Sequence, residues 1–121
     1  MKQDVFTVLV ADDQREVIAL ISGWLRETGH VPLAATSGRE AVALLRALKV
    51  DALVTDLVMP NGSGLDLIFD ARAHFPELRI VAISGAHQGE AAQAAGADRW
   101  LRKPLFRDDL LAALRPPRAL S

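Results

Sequence analysis

The stretch Leu53-Val54-Thr55-Asp56-Leu57-Val58-Met59-Pro60-Asn61-Gly62-Ser63-Gly64 decides the fold. An apolar, partly β-branched run ends abruptly in one carboxylate. A Met-Pro step and two glycines follow. The run does not alternate apolar with polar residues, so it reads as a strand buried on both faces, as parallel sheets require. Met59 precedes a proline and is pushed out of the helical region. Residues 60–64 carry turn chemistry, and Ser63 with Asp66 resembles a capping box opening the next helix. Asp56 is therefore expected at the carboxyl end of a central strand, where open α/β sheets place their chemistry. On this stretch alone, an aspartate that merely ends a strand and caps a turn fits equally well.

Working outward, residues 6–11 form another apolar, β-branched run, which ends in Asp12-Asp13. Helical spacing of Val17, Ile18, Ile21, Trp24 and Leu25 predicts a helix over 14–28, stopped by Gly29. Residues 31–35 read as a second strand. Ser37-Gly38-Arg39-Glu40 is a capping box, and Ala41, Leu44, Leu45 and Leu48 make the apolar stripe of the helix behind it. The third strand covers 52–56, and a helix over 64–74 is expected to turn Leu65, Ile68 and Phe69 inward. Residues 79–84 read as a fourth strand, 89–95 as a short alanine-rich helix closed by Gly96, and 99–102 as a fifth strand. Lys103-Pro104 turns the chain into a last helix over 105–115, where Asp108-Asp109 suit the helix dipole. Five alternations of strand and helix predict a flavodoxin-like, doubly wound α/β fold. Its five-stranded parallel sheet has the order 2-1-3-4-5 and is covered by five helices.

Composition sets the bounds. A chain of 121 residues fits one domain, with a core over about residues 6–115 and a tail over 116–121. Half its residues are hydrophobic and 24% are charged, an ordinary globular balance. A net charge of −1 argues against general binding to nucleic acid or to anionic membranes. Without cysteine there is no disulfide, no Fe–S cluster and no thiol catalysis. The first residues carry no signal peptide and no apolar run approaches membrane length, so a cytoplasmic location is expected. A chain ending in the Arg115-Pro116-Pro117 tail is expected to stand alone, without an output domain.

The strand order places Asp12, Asp13 and Asp56 around one crevice, at the switch point between strands 1 and 3. Ser84 and Lys103 end strands 4 and 5 at the same edge. Three carboxylates so close must share protons or hold a cation. Mg²⁺ takes oxygen ligands, few of them carboxylates, and completes its shell with water and phosphate. A carboxylate can also attack phosphorus and form an aspartyl-phosphate. Phosphoryl transfer needs positioning and charge neutralisation, which the Lys103 ammonium and the Ser84 hydroxyl are able to supply. Each residue also has a plainer reading. Asp12-Asp13 fits a helix cap, Ser84 a satisfied strand end and Lys103-Pro104 an ordinary turn.

These residues resemble those of a response-regulator receiver domain of two-component signalling, of the stand-alone chemotaxis-regulator kind. The resemblance rests on Asp12-Asp13, on Asp56-Leu57-Val58-Met59-Pro60 with Gly64, on Ser84, on Gly96-Ala97-Asp98 and on Lys103-Pro104. It covers about residues 7–114. The resemblance implies that Asp56 is the phosphoacceptor. It implies that Asp12, Asp13, Asp56 and the backbone carbonyl of Val58 bind Mg²⁺. Ser84 would hydrogen-bond the phosphoryl group, Lys103 would pair with its oxygen, and the Lys103-Pro104 bond would be cis. Trp100 stands at the switch-aromatic position and Ser84 at its partner position. The donor would be a phosphohistidine on a histidine kinase or phosphotransfer protein, and an unidentified protein would be the downstream target. The segment between Ser84 and Lys103 is shorter than is usual in the family. Catalysis would be limited to self-phosphorylation and its reversal.

Other functions fit less well. A Mg²⁺-dependent phosphatase with an aspartate nucleophile carries a second aspartate two residues on, where this chain has Val58. A nucleotide- or flavin-binding module lacks its G-x-G-x-x-G or Walker loop here. A pseudo-receiver serving only as an interaction module does not need the full set of five polar residues. His30, His74 and His87 have no ligand-like spacing and are expected at the surface.

Overall fold

The computed structural model describes residues 5–59, 62–85 and 88–115. Pro60, Asn61, the Ser63 side chain, Ala86, His87 and the 116–121 tail lie outside the described residues. The main strands are β1 (Thr7–Ala11), β2 (Val31–Ala35), β3 (Ala52–Asp56), β6 (Arg79–Ser84) and β7 (Arg99–Arg102). Between β3 and the following helix lies a small antiparallel ladder, β4 (Val58–Met59) with β5 (Gly62–Ser63). The helices are α1 (Arg15–Glu27), α2 (Gly38–Ala47), α3 (Gly64–His74), α4 (Gly89–Ala95) and α5 (Arg107–Leu114).

The five main strands form one sheet in the order β2-β1-β3-β6-β7, all parallel. Counted over those strands this is the expected 2-1-3-4-5 order. All five residues of β3 are buried, because helices cover the sheet on both sides. One apolar cluster joins Leu9, Leu53 and Ile80 to Leu45, Leu67 and Ile68. The opposite cluster joins Val8, Val10, Val54 and Val81 to Ile21, Leu25 and Leu110. Each fully buried side chain of this kind contributes roughly 1.5–3 kcal/mol.

Local chemistry fixes the helix ends. The Ser37 side chain accepts from the Glu40 N–H at 3.2 Å, as a capping box requires. The Glu40 carboxylate reaches one residue further back than expected and accepts from the Thr36 N–H at 2.6 Å. The last helix begins at Arg107, two residues later than its apolar pattern suggested, because Leu105 and Phe106 still follow the Lys103-Pro104 turn. Two apolar placements need correction. Phe69 is 68% exposed; α3 instead buries Gly64, Leu67, Ile68 and Ala71, a single 3.6-period face. Leu48 follows the last turn of α2 and is exposed rather than packed. His30 is half-buried, stacks on Phe6 with ring centroids 5.0 Å apart, and accepts the Phe6 N–H through Nδ1.

At the sheet's opposite edge, Arg72 of α3 gathers several groups. Its guanidinium donates to the carbonyls of Gly96, Pro76 and Leu78 at 3.0, 2.8 and 2.9 Å, and to Asp98 at 2.9 Å. Asp98 in turn accepts the Ile80 N–H. Gly96 closes α4 at φ 122°, a region L side chains rarely adopt. A β-carbon there would also press within 2.9 Å of the Arg72 side chain.

Candidate functional site

The carboxyl edge of β1, β3, β6 and β7 brings together Asp12, Asp13, Asp56, Ser84 and Lys103. Asp12 follows β1 directly and is fully buried; its N–H donates to the Ala35 carbonyl and anchors it to β2. Its Oδ1 accepts the Gln14 N–H at 2.8 Å; the N-cap of α1 is Gln14, so the plainer reading of Asp12-Asp13 as the helix cap does not hold. Asp13 is exposed at the rim. Asp56 is the last residue of β3, with 6% exposure, and its Oδ1 accepts the Val58 N–H at 3.1 Å. One oxygen from each of the three carboxylates lies within 4.8 Å of the others.

Lys103 enters from the far side of the sheet. Its N–H donates to the Ser84 carbonyl at 2.8 Å, and the Lys103-Pro104 peptide is cis. The ammonium lies 3.1 Å from Asp56 Oδ2 and 3.4 Å from Asp12 Oδ2. A third acceptor, Gln14 Oε1, stands at 3.3 Å. Ser84 ends β6 and is buried. Burial pushes the Asp12 carboxyl up, the nearby Asp56 charge adds to this, and the Gln14 N–H and Lys103 oppose it. Burial works against the Lys103 ammonium, but the Asp56 hydrogen bond and the two carboxylate charges outweigh it and raise its pKa.

Three carboxylates and one ammonium leave the crevice two charges negative when all are ionised. An all-oxygen donor set of that charge fits a hard divalent cation. Metal–oxygen bonds of about 2.1 Å allow ligand oxygens at most about 4.2 Å apart, so the carboxylates need close only slightly around an ion.

Gly64 supports the site from behind. It donates its N–H to the Leu57 carbonyl, and a β-carbon would come within 2.7 Å of Leu57 Cα and overlap the Asp56 carbonyl oxygen. Val58 keeps its side chain 62% exposed beside Asp56. Trp100 pairs with Ala82 in the sheet and is half-buried; its ring lies where a β-carbon on Gly89 would come within 2.7 Å. These two residues and Leu65 help line an open groove of about 710 Å³ between α4 and β7. Among the described residues, Gln14 is a neighbour of Lys103 that sequence reasoning missed. It follows the acidic pair directly, but nothing local signals a contact with a lysine 89 positions away. Among the described residues, no helix is long and apolar enough to cross a membrane.

Comparison with known proteins gives consistent matches. The sequence model of the response regulator receiver domain matches residues 8–115. The response regulator MprA of Mycolicibacterium vanbaalenii is 34% identical over 111 residues, covering 89% of this chain and 48% of MprA. The chain thus spans about half the length of the curated relatives it matches. Among solved structures, the chemotaxis response regulator CheY4 of Vibrio cholerae aligns at a TM-score of 0.85 and 26% identity, covering 92% of this chain and 97% of its own. A response regulator of Burkholderia pseudomallei, solved with a phosphorylated aspartic acid, a calcium ion and citrate, aligns at 0.85 and 31%, covering 91% of this chain and 66% of its own.

Proposed function

The chain belongs to the response regulator receiver domain family, and from that premise we propose that residues 6–115 form one domain whose Asp56 accepts a phosphoryl group from a phosphohistidine. Support comes from one constellation: Asp56 at the strand edge, 3.1 Å from the Lys103 ammonium and clustered with Asp12 and Asp13. In the transfer an Asp56 oxygen attacks phosphorus, the P–O bond forms as the P–N bond breaks, and the imidazole leaves with a proton from solvent. Asp12, Asp13 and Asp56, with the Val58 carbonyl, would hold Mg²⁺. When bound, Mg²⁺ supplies positive charge to the phosphoryl oxygens. Lys103 neutralises one such oxygen, and the Ser84 hydroxyl donates to another. Ser84 and Trp100 carry the change outward to a protein target. The donor is a histidine kinase or phosphotransfer protein, and the setting is the cytoplasm. No second substrate is turned over: Val58, two residues past Asp56, is able neither to take a proton from an attacking water nor to give one to a leaving group.

The test is incubation with Mg²⁺ and acetyl phosphate, followed by intact mass. Wild type should gain one acid-labile phosphoryl group and Asp56→Asn none. Equal labelling of the two proteins ends the assignment of Asp56.

A further inference from the structure

An ammonium has three N–H donors and no acceptor. Lys103 meets three acceptors: Asp56 Oδ2 at 3.1 Å, Asp12 Oδ2 at 3.4 Å and Gln14 Oε1 at 3.3 Å. The three differ in kind. Asp12 and Asp56 are charged and buried, whereas Gln14 is neutral and exposed. The Gln14 backbone is held in place, because its N–H donates to Asp12 Oδ1 at 2.8 Å. The amide oxygen thus meets the ammonium from an exposed residue, whereas the two carboxylates meet it from buried ones.

We propose that Gln14 is a positioning residue that occupies, in the resting protein, the Lys103 donor that a phosphoryl oxygen on Asp56 takes over. The inference rests on Asp56 being the phosphoacceptor. A charged phosphoryl oxygen holds an ammonium more tightly than a neutral amide does, so the exchange runs toward the phosphorylated state. The amide must still let go. Gln14 is therefore a built-in competitor that weakens capture of the phosphoryl group by about the worth of one hydrogen bond. The lysine also stays fully engaged, and so fixed in place, when no phosphoryl group is present.

Two variants separate the acceptor from the space it fills. Gln14→Met keeps the length of the side chain without an amide, and Gln14→Ala removes both. Beryllofluoride is titrated calorimetrically into each protein at saturating Mg²⁺. Both variants should bind it at about a 2–10-fold lower concentration than wild type, the span expected for one such bond. With acetyl phosphate at a fixed subsaturating concentration, both variants should label faster than wild type. In metal-free protein the Lys103 ammonium signal in heteronuclear NMR should exchange faster with water in both variants. The chain has only three lysines, Lys2, Lys49 and Lys103, which makes that signal assignable. Unchanged or weaker beryllofluoride binding in both variants overturns the inference. So does a gain in Gln14→Ala that Gln14→Met does not share, since space alone would then be responsible. A wild type that takes no beryllofluoride overturns the phosphoacceptor assignment and this inference together. A wild type that binds it no more weakly than the variants overturns this inference alone.

Discussion

Replacing Gly64 by alanine should both destabilise the protein and displace its phosphoacceptor. The new β-carbon would lie 2.7 Å from Leu57 Cα and 2.9 Å from the Asp56 carbonyl carbon. Both are backbone atoms next to the fully buried β3, so no side-chain rotation relieves the contact. Overpacking costs about 1–3 kcal/mol, and a backbone obstacle places this case near 3. Alanine recovers up to about 1 kcal/mol through helix propensity, which leaves a net loss of about 2 kcal/mol. For a domain of this size that loss lowers Tm by roughly 8–10 °C. The shift bears directly on the Asp56 peptide, so labelling by acetyl phosphate should also slow at a temperature where the variant is still folded. Gly23→Ala is the control: its β-carbon meets nothing within 4 Å in mid-α1, so it should be neutral or stabilising by up to about 1 kcal/mol. Thermal unfolding of the three proteins without metal is the assay. A Gly64→Ala protein that melts within about 2 °C of wild type refutes the steric reasoning.

Four further outcomes are expected. Saturating Mg²⁺ should raise the melting temperature of wild type, by up to about 2.7 kcal/mol of added stability at a hundredfold excess over Kd, and Asp13→Ala should abolish the rise; equal melting with and without Mg²⁺ counts against the metal site. Because burial raises the Asp12 pKa in the fold, metal-free wild type should lose stability as pH rises from about 4 through that raised value, where the folded state holds the extra proton. Asp12→Asn should escape this loss and melt higher at pH 7, with the gap closing on acidification; chemical denaturation across pH checks the sign. In a Trp24→Phe background, beryllofluoride should change the fluorescence of Trp100, and an unchanged spectrum with unchanged quencher access would remove this residue from signalling. Phosphorylated wild type should lose its phosphate over minutes to hours, since the exposed Val58 side chain beside Asp56 has no polar atom to orient an in-line water. Val58→Asn should shorten that lifetime, and equal decay of the two proteins refutes the proposed role of the side chain.

The central strands were legible because a sheet covered on both faces leaves a continuous apolar run, and β3 and β6 begin and end where those runs do. The crevice was legible for a topological reason: residues that end parallel strands share one edge whatever their separation in sequence. Phe69 shows where pattern fails. Leu65, Leu67, Ile68 and Phe69 surround α3, so periodicity alone did not select the face that packs. The two-residue strands β4 and β5 are too short to show any periodicity. Gln14 and the close approach of Gly64 to Asp56 are tertiary facts. Neither has a local signature, because each depends on a partner brought near by the turn of the whole chain.

The Arg72 clasp holds one end of α4. It grips the Gly96 carbonyl at the helix's last turn, while Gln88 at the first turn offers no side-chain cap. With the side-chain anchor at that end, a tilt of α4 would pivot at Gly96. Seven residues make an arm of about 10 Å, and a tilt of about 10° carries Gly89 roughly 2 Å. That displacement would fall where Gly89 lies against the Trp100 ring, so a small rotation would be magnified at an aromatic contact.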